Sequence, residues 1–534
     1  MDIGNFVALC KALDAEVTFN QPGPPDVPFM DPFSAADLRG AIQAGAPLLP
    51  RAYQQGYTDL LTGALPGLVT DIRAELQQAN PGATPGQLAE AGTHFFEPFV
   101  GAAFAQSVGE VRPSLRRFLA VISDLYRSFL SKVQRAPADV PLVEQLPPLA
   151  TFAHLPDDGP FTIPADDVLK VCGSKIGVVS LPSSYRDHPL LWAALAHETG
   201  GHDVLHADTN LLPELRTGVA GLLADRQFLG QLWGYWMDEA ASDVYGLLNV
   251  GPAFAINLAA FFTTLVHQLN AEIPLGALGN RSFVDEQNQL DPHPTDILRL
   301  HLALGVIESL HGLGVTQRGM YVQAIQQLAR QCANGATTVE FLKRNAAGQF
   351  QVIETFDLDD MAKAARRVGA FIADARLGAL GGHSVQEIET WDDHDEGTAQ
   401  AIGTQLLNGG SVAGLGDDAQ QLAGATLALL QDPEAYAKVT ASLMEALDES
   451  FARDPIFGPP QVHHMFFRPD VGLGARERIT SDRAVPPPAL EWFCQARPAA
   501  GRRPARRRAA AGATDGREGG GAGRRKRRSQ RGGK

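Results

Sequence analysis

Cysteine is scarce in this chain. Four residues in 534 (Cys10, Cys172, Cys332 and Cys494) stand far apart and form no CxxC pair. That excludes a disulfide framework and a thiolate zinc site, and makes a reducing cytoplasm the default location. Long apolar runs are missing as well: no stretch of about 18 apolar residues occurs, so no membrane span is expected. The opening MDIGNFVALCKALDAEV has acids and a lysine where a secretory signal needs a basic head and an apolar core. Lipidation signals and repeats of fixed period are also absent. Positive charge is scarce except at one end. Residues 497–534 hold 14 Lys/Arg against 2 acids, so the net −15 of the whole chain leaves −27 on the first 496 residues. An acidic body argues against nucleic acid as the main substrate.

What remains is ordinary for a globular protein: 45% hydrophobic and 20% charged residues, with length enough for two or three domains. Residues 20–34 are Pro-rich. From Ser34 to about Arg135 the apolar spacing is helical, as in RRFLAVISDLYRSFLSKV, with breaks at Pro50, Pro66 and residues 80–86. Residues 136–165, rich in Pro and Asp, read as a linker. Ile176–Leu181 (IGVVSL) is a β-branched run between turn signals and predicts a strand. Helices are expected from Pro189 through LLWAALAHE, over about 226–248, from DPHPTD onward, and through 320–455. The fold class expected is mainly α with a small mixed β-sheet (α+β). Its regions run 1–155 (helical, with the Pro-rich linker), 156–320 (metal-binding core), 321–455 (helical) and 456–534 (Pro/Arg/Gly-rich and largely disordered).

The informative segment is Leu195-Ala-His-Glu-Thr-Gly-Gly-His-Asp-Val-Leu-His206, which contains His-Glu-x-x-Gly-His. Residues four apart on an α-helix differ by about 40° in azimuth and can face one metal, whereas five apart differ by about 140°. One inserted residue, a π-bulge, returns His197 and His202 to a common face. Gly200 and Gly201 stand where the backbone must distort. A zinc site of catalytic type needs a third protein ligand and an open position for water. Trp236-Met-Asp-Glu-Ala-Ala-Ser-Asp243 offers Glu239 as that ligand. Asp243, four residues on, would accept a hydrogen bond from the far nitrogen of His197 and fix its tautomer. Glu198 would take the proton from a water attacking a carbonyl.

These two segments carry a resemblance. His197-Glu-Thr-Gly-Gly-His202 resembles the HExxGH motif of the dipeptidyl peptidase III family. Asp238-Glu-Ala-Ala-Ser-Asp243 resembles that family's EExRAE motif, with Ala241 in place of the arginine. The stretch DEAASDVYG is also similar to the third-ligand helix of thermolysin-like peptidases. The clan common to both is that of the glutamate zincins. The resemblance covers roughly 75 residues. It implies a zincin-like core flanked by helical segments, one Zn2+ per chain, and ligands His197, His202 and Glu239. It also implies that Ile176–Leu181 forms the sheet edge along which an extended peptide lies.

Asp291-Pro-His-Pro-Thr-Asp-Ile-Leu-Arg299 adds further candidates. His293 or Arg299 would stabilise an oxyanion, or Arg299 would pair with a site carboxylate; the alternative is a helix start with a structural salt bridge. Tyr245 is a similar catalytic candidate. A rival ligand set is the stripe Glu198, His202 and His206, four residues apart on an undistorted helix, with His197 behind it. Trp391-Asp-Asp-His-Asp-Glu396 reads as a solvated acidic loop, and His463-His464 as surface.

The function expected is zinc-dependent peptide-bond hydrolysis, with a peptide or protein as substrate. Two alternatives stay open: a catalytically silent zinc-binding or interaction protein on the same scaffold, and an adaptor acting through the basic tail. That tail could contact nucleic acid or acidic partners, or be a solubilising extension.

Overall fold

The computed structural model describes residues 2–18, 31–143, 145–153, 159–285, 289–345 and 349–458. The expected class holds: 67% of the described residues are helical, with two small mixed three-stranded sheets. The basic tail and His463-His464 lie outside the described residues. No described helix is long and apolar enough to cross a membrane.

Local sequence explains where the helices start. Thr84 caps α1 (Pro85–Phe104) with a full capping box, which accounts for the break at residues 80–86. Pro113 sits in the first turn of α2 (Arg112–Leu130). The stripe Leu115, Phe118, Leu119, Ile122, Leu125, Tyr126 and Phe129 then repeats at three and four and is wholly buried. Pro50 precedes the helix Arg51–Asp59. Pro66, by contrast, falls in the first turn of Leu65–Ala79, directly after a π-turn at Leu60–Ala64, and breaks nothing.

The first sheet corrects two expectations. Residues 136–165 are not simply a linker, because β1 (Leu149–Ala153) and β2 (Phe161–Ile163) lie within them. These runs, LATFA and FTI, are too short to stand out between prolines and aspartates. The predicted strand is present as β3 (Val178–Pro182), but at the centre of the sheet: β1 pairs with it in parallel and β2 antiparallel. Its backbone is therefore paired on both sides, and β1 and β2 are the edges. α1 and α2 pack against this sheet.

The site-bearing helix α3 follows a 3-10 turn at Pro189–Trp192. It runs Ala193–His197, a π-turn at Glu198–Asp203, then Val204–Ala207. The helix expected over about 226–248 is two, α4 (Gln227–Tyr235) and α5 (Met237–Val250), because Trp236 leaves helical geometry (φ −79, ψ 6). α6 (Ala253–Leu269) and α7 (Asp296–Ser309) pack behind α5. The second sheet orders β4 (Arg281–Val284), β5 (Thr338–Arg344) and β6 (Phe350–Asp357), with β5 central. Trp236 stacks on Phe341 of this sheet and Phe228 on Phe356.

Helices α8 (Asp418–Gln431) and α9 (Tyr436–Arg453) return to the N-terminal region. Arg117 of α2 makes a bidentate pair with Asp448, and Asp124 accepts the backbone N–H groups of Asp418 and Ala419 at the start of α8. First and last helical regions thus share one packed unit around the middle one. The Trp391–Glu396 stretch is not a solvated loop. Asp392 and Asp395 form a capping box for helix Asp393–Leu407, while Trp391 and Glu396 are buried and joined by a 3.0 Å bond.

Candidate metal centre

The π-turn predicted from the five-residue spacing is present between His197 and His202. The extra residue swings His202 onto the face that carries His197. The two glycines in it are required for a different reason than backbone distortion, since neither has positive φ. A Cβ on Gly201 would stand 2.5 Å from Ser242 Cα, and one on Gly200 would stand 2.5 Å from Asn249 Nδ2. Glycine here lets α3 lie directly on α5.

That contact brings the ligand candidates together. One nitrogen each of His197 and His202 and one oxygen of Glu239 lie within 4.8 Å of one another, the one such group among the described residues. His197 Nδ1 is 2.8 Å from Asp243 Oδ1, and His202 Nδ1 is 3.0 Å from Asp238 Oδ1. Each ring donates from Nδ1 to a carboxylate, which turns Nε2 toward Glu239. His197 Nε2 lies 3.2 Å from Glu239 Oε2 and His202 Nε2 3.6 Å from Oε1. Glu239 Oε2 is buried and without a hydrogen-bond partner among the described residues. Two ring nitrogens and a buried carboxylate oxygen thus converge on one point, a donor set that a cation would bridge.

The surrounding charge agrees. Two of the site's carboxylates, Asp243 and Glu239, face one guanidinium, that of Arg299, at 2.6 and 4.0 Å. Burial alone would drive protons off the rings, yet Asp243 and Glu239 raise the pKa of His197, and Glu239 and Asp238 hold His202 well above the usual range. Burial likewise opposes ionisation of Glu239, but His293 and His202 keep its carboxyl well below the ordinary value. The pocket is a sink for positive charge, filled either by protons on imidazole or by a divalent cation. Two imidazoles and one carboxylate form a donor set suited to zinc.

His293 and Arg299 both reach the site. His293 Nε2 lies 3.3 Å from Glu239 Oε1, and its Nδ1 lies 2.8 Å from Asp291 Oδ1. Held between two carboxylates, its pKa is raised despite burial. Trp236 Nε1 bonds the Asp291 carbonyl and the Tyr235 hydroxyl bonds that of Leu290, so the end of α4 fixes the segment that carries His293. Arg299 forks onto Asp243 at 2.6 and 2.8 Å, stands 4.0 Å from Glu239, and lies 4.7 Å from the centre of the Phe262 ring in α6. It is 5% exposed and fully engaged, which is the carboxylate-pairing option and not the oxyanion one.

Two candidates are not brought in. Tyr245, six residues past Glu239, is about 240° around α5. It packs on Phe129, near the Arg135–Asp208 pair. His206 bonds Asp238 Oδ2 at 3.2 Å and does not join the three-ligand group, so the single-helix stripe does not form.

Three contributors were missed. Asp238 stood beside Glu239 in the quoted motif, and Asp291 beside His293; both had a readable signal. Thr162 had none. It arrives from β2, and its hydroxyl lies 2.9 Å from Glu198 Oε2 and 3.0 Å from the Glu198 carbonyl. Compared with known protein families, curated proteins and solved structures, the chain matches none.

Proposed function

We propose that this protein is a zinc-dependent metallohydrolase, most simply a peptidase of glutamate-zincin type. The observation that carries the reading is the convergence of His197 Nε2, His202 Nε2 and the unpartnered Glu239 Oε2. Zinc in such a donor set polarises a carbonyl and makes water acidic enough to attack it near neutral pH.

The chain's own residues supply the rest. Glu198, next to His197 and 6% exposed, takes the proton from the attacking water and passes it to the leaving amine. Thr162 holds that carboxylate in place through Oε2. Asp243 and Asp238 fix the tautomers of the two ligand rings. His293, held between Asp291 and Glu239, stands ready to stabilise negative charge developing on the carbonyl oxygen. The edge strand nearest Glu198 is β2, so an extended substrate would lie along residues 161–163 and not along β3.

Elemental analysis of the purified protein tests the metal, with His202→Ala and Glu239→Ala beside wild type. Near-stoichiometric zinc, lost in both variants, is the outcome expected. Cleavage of a peptide library, abolished in Glu198→Gln with zinc retained, tests the reaction. Wild type that takes up no zinc when it is supplied would sink the reading.

A further inference from the structure

One turn beyond His202, a second histidine reaches the same carboxylate. Asp238 Oδ1 lies 3.0 Å from His202 Nδ1, and Oδ2 lies 3.2 Å from His206 Nε2. The geometry follows from the π-turn: once it ends at Asp203, the helix regains its ordinary pitch. His202 and His206, four apart, then face α5 together. Asp238 is also the residue before Glu239, so it ties the second and third ligands to one short stretch of α5.

A carboxylate held at one oxygen is free to turn about its terminal torsion, which is broad. Held at both oxygens by donors on the same helix, it has one plane. We propose that His206 is a positioning residue of the metal site. Its Nε2–H grips Asp238 Oδ2, the gripped carboxylate fixes the His202 ring, and His202 Nε2 stays aimed at Glu239 Oε1, 3.6 Å away. The inference rests on the zinc reading above. His206 itself touches neither ligand atoms nor substrate.

Exposure sets the expected size of the effect. The side chains of His206 and Asp238 are 31% and 30% exposed, against 16% for His202. Water can therefore take over Oδ2 when the His206 donor is removed, but water does not fix a plane. The loss should be graded, at the lower end of the range for partners of metal ligands.

The experiment is zinc affinity of the full-length protein by competition with a chromophoric chelator, alongside thermal melts of the metal-free forms. His206→Phe keeps the ring and removes the donor; it should weaken zinc about 10-fold. His206→Gln restores a donor of similar reach and should recover most of that loss, with metal-free melts unchanged in both. Wild-type affinity in His206→Phe would overturn the proposal, as would a Gln variant no better than Phe. Complete loss of zinc in His206→Phe with retention in Glu239→Ala would overturn it differently, by making His206 a ligand. Should the Phe variant fail to fold, Asp238→Asn decides: it puts an amide donor against one histidine and should cost about 10- to 100-fold, and unchanged affinity would refute the clamp. A wild-type protein that binds no zinc would fail the functional reading itself, an outcome distinct from all of these.

Discussion

His197 and Asp243, 46 residues apart in sequence, are joined by a 2.8 Å bond, and the same carboxylate receives both arms of Arg299. The carboxylate is thus shared between a ring that must be oriented and a buried cation that must be neutralised. Asp243→Ala should therefore do two separable things. Zinc affinity should fall about 10- to 100-fold, because the His197 ring loses its tautomer lock. The metal-free protein should also lose about 3–5 kcal/mol, because Arg299 is left buried without its partner. Chelator competition reads the first, and urea unfolding of metal-free protein reads the second. Unchanged zinc affinity would mean that Asp243 serves Arg299 alone.

The two glycines of the π-turn give an ordered pair of outcomes. A methyl on Gly201 meets backbone and Cβ atoms of Ser242, which cannot move without α5, whereas one on Gly200 meets only the amide tip of Asn249. Gly201→Ala should cost about 1–3 kcal/mol, in the range for overpacking, and Gly200→Ala clearly less. Thermal melts of the two variants beside wild type would show the order. Gly201→Ala should also reduce zinc content, since the clash falls beside His202.

How much of this centre was legible depends on where each residue sits. His197, His202, Glu239 and Asp243 lie on two helices, and helical spacing alone places them on common faces; even the π-turn followed from a five-residue gap that no straight helix can use. Thr162 lies on a three-residue strand that pairs with β3, a contact set by sheet order, and no local pattern reports sheet order. The same gap put β3 at an edge when it is central. Tyr245 failed for a simpler reason, its position on the far side of α5. Trp391–Glu396 looked solvated because charge was counted without its capping role; Asp392 and Asp395 close a helix turn, and Glu396 turns inward to Trp391 and Tyr321.

Away from the candidate metal centre, the Arg135–Asp208 pair anchors the end of α3. Both side chains are almost wholly buried, and Arg135 also donates to the carbonyls of Phe129 and Pro141. Removing one partner leaves a buried charge, so Arg135→Met should destabilise by about 3–5 kcal/mol. Arg135→Met with Asp208→Asn should recover a large part of that loss. Urea denaturation of the two variants checks this, and a double variant no better than the single would show that the carbonyl bonds, not the charge pair, hold the turn.

Glu389 should make stability fall as pH rises. Burial, together with the charges of Asp395, Asp417, Asp124 and Asp392, pushes its pKa up from 4.5 to about 9. The folded protein therefore holds this proton where the unfolded chain has released it. The side chain weighs nothing on stability below pH 4.5, where both states are protonated. From there to about pH 9 the folded state must either keep a proton that solvent would take or bear a half-buried charge, and stability should decline by up to about 1.4 kcal/mol per unit. Glu389→Gln removes the titration and keeps an acceptor for Gln134 Nε2, which lies 3.2 Å from Oε2 in the native side chain. The variant should match wild type near pH 4 and melt higher at pH 8. Parallel melting curves across that range would show instead that the carboxyl reaches solvent and ionises normally.

His293 separates binding from chemistry. It contacts Glu239 Oε1 from outside the three-ligand group and is oriented by Asp291, so removing its ring takes away neither a ligand nor a tautomer lock. His293→Ala should retain zinc at wild-type stoichiometry. If the ring stabilises negative charge on the carbonyl oxygen, kcat should fall about 10²- to 10³-fold while KM changes little, since the interaction strengthens only as charge develops. His293→Gln, with a neutral donor of similar reach, should recover part of the rate. A rise in KM at constant kcat would assign His293 to substrate binding, and loss of zinc would make it a fourth ligand.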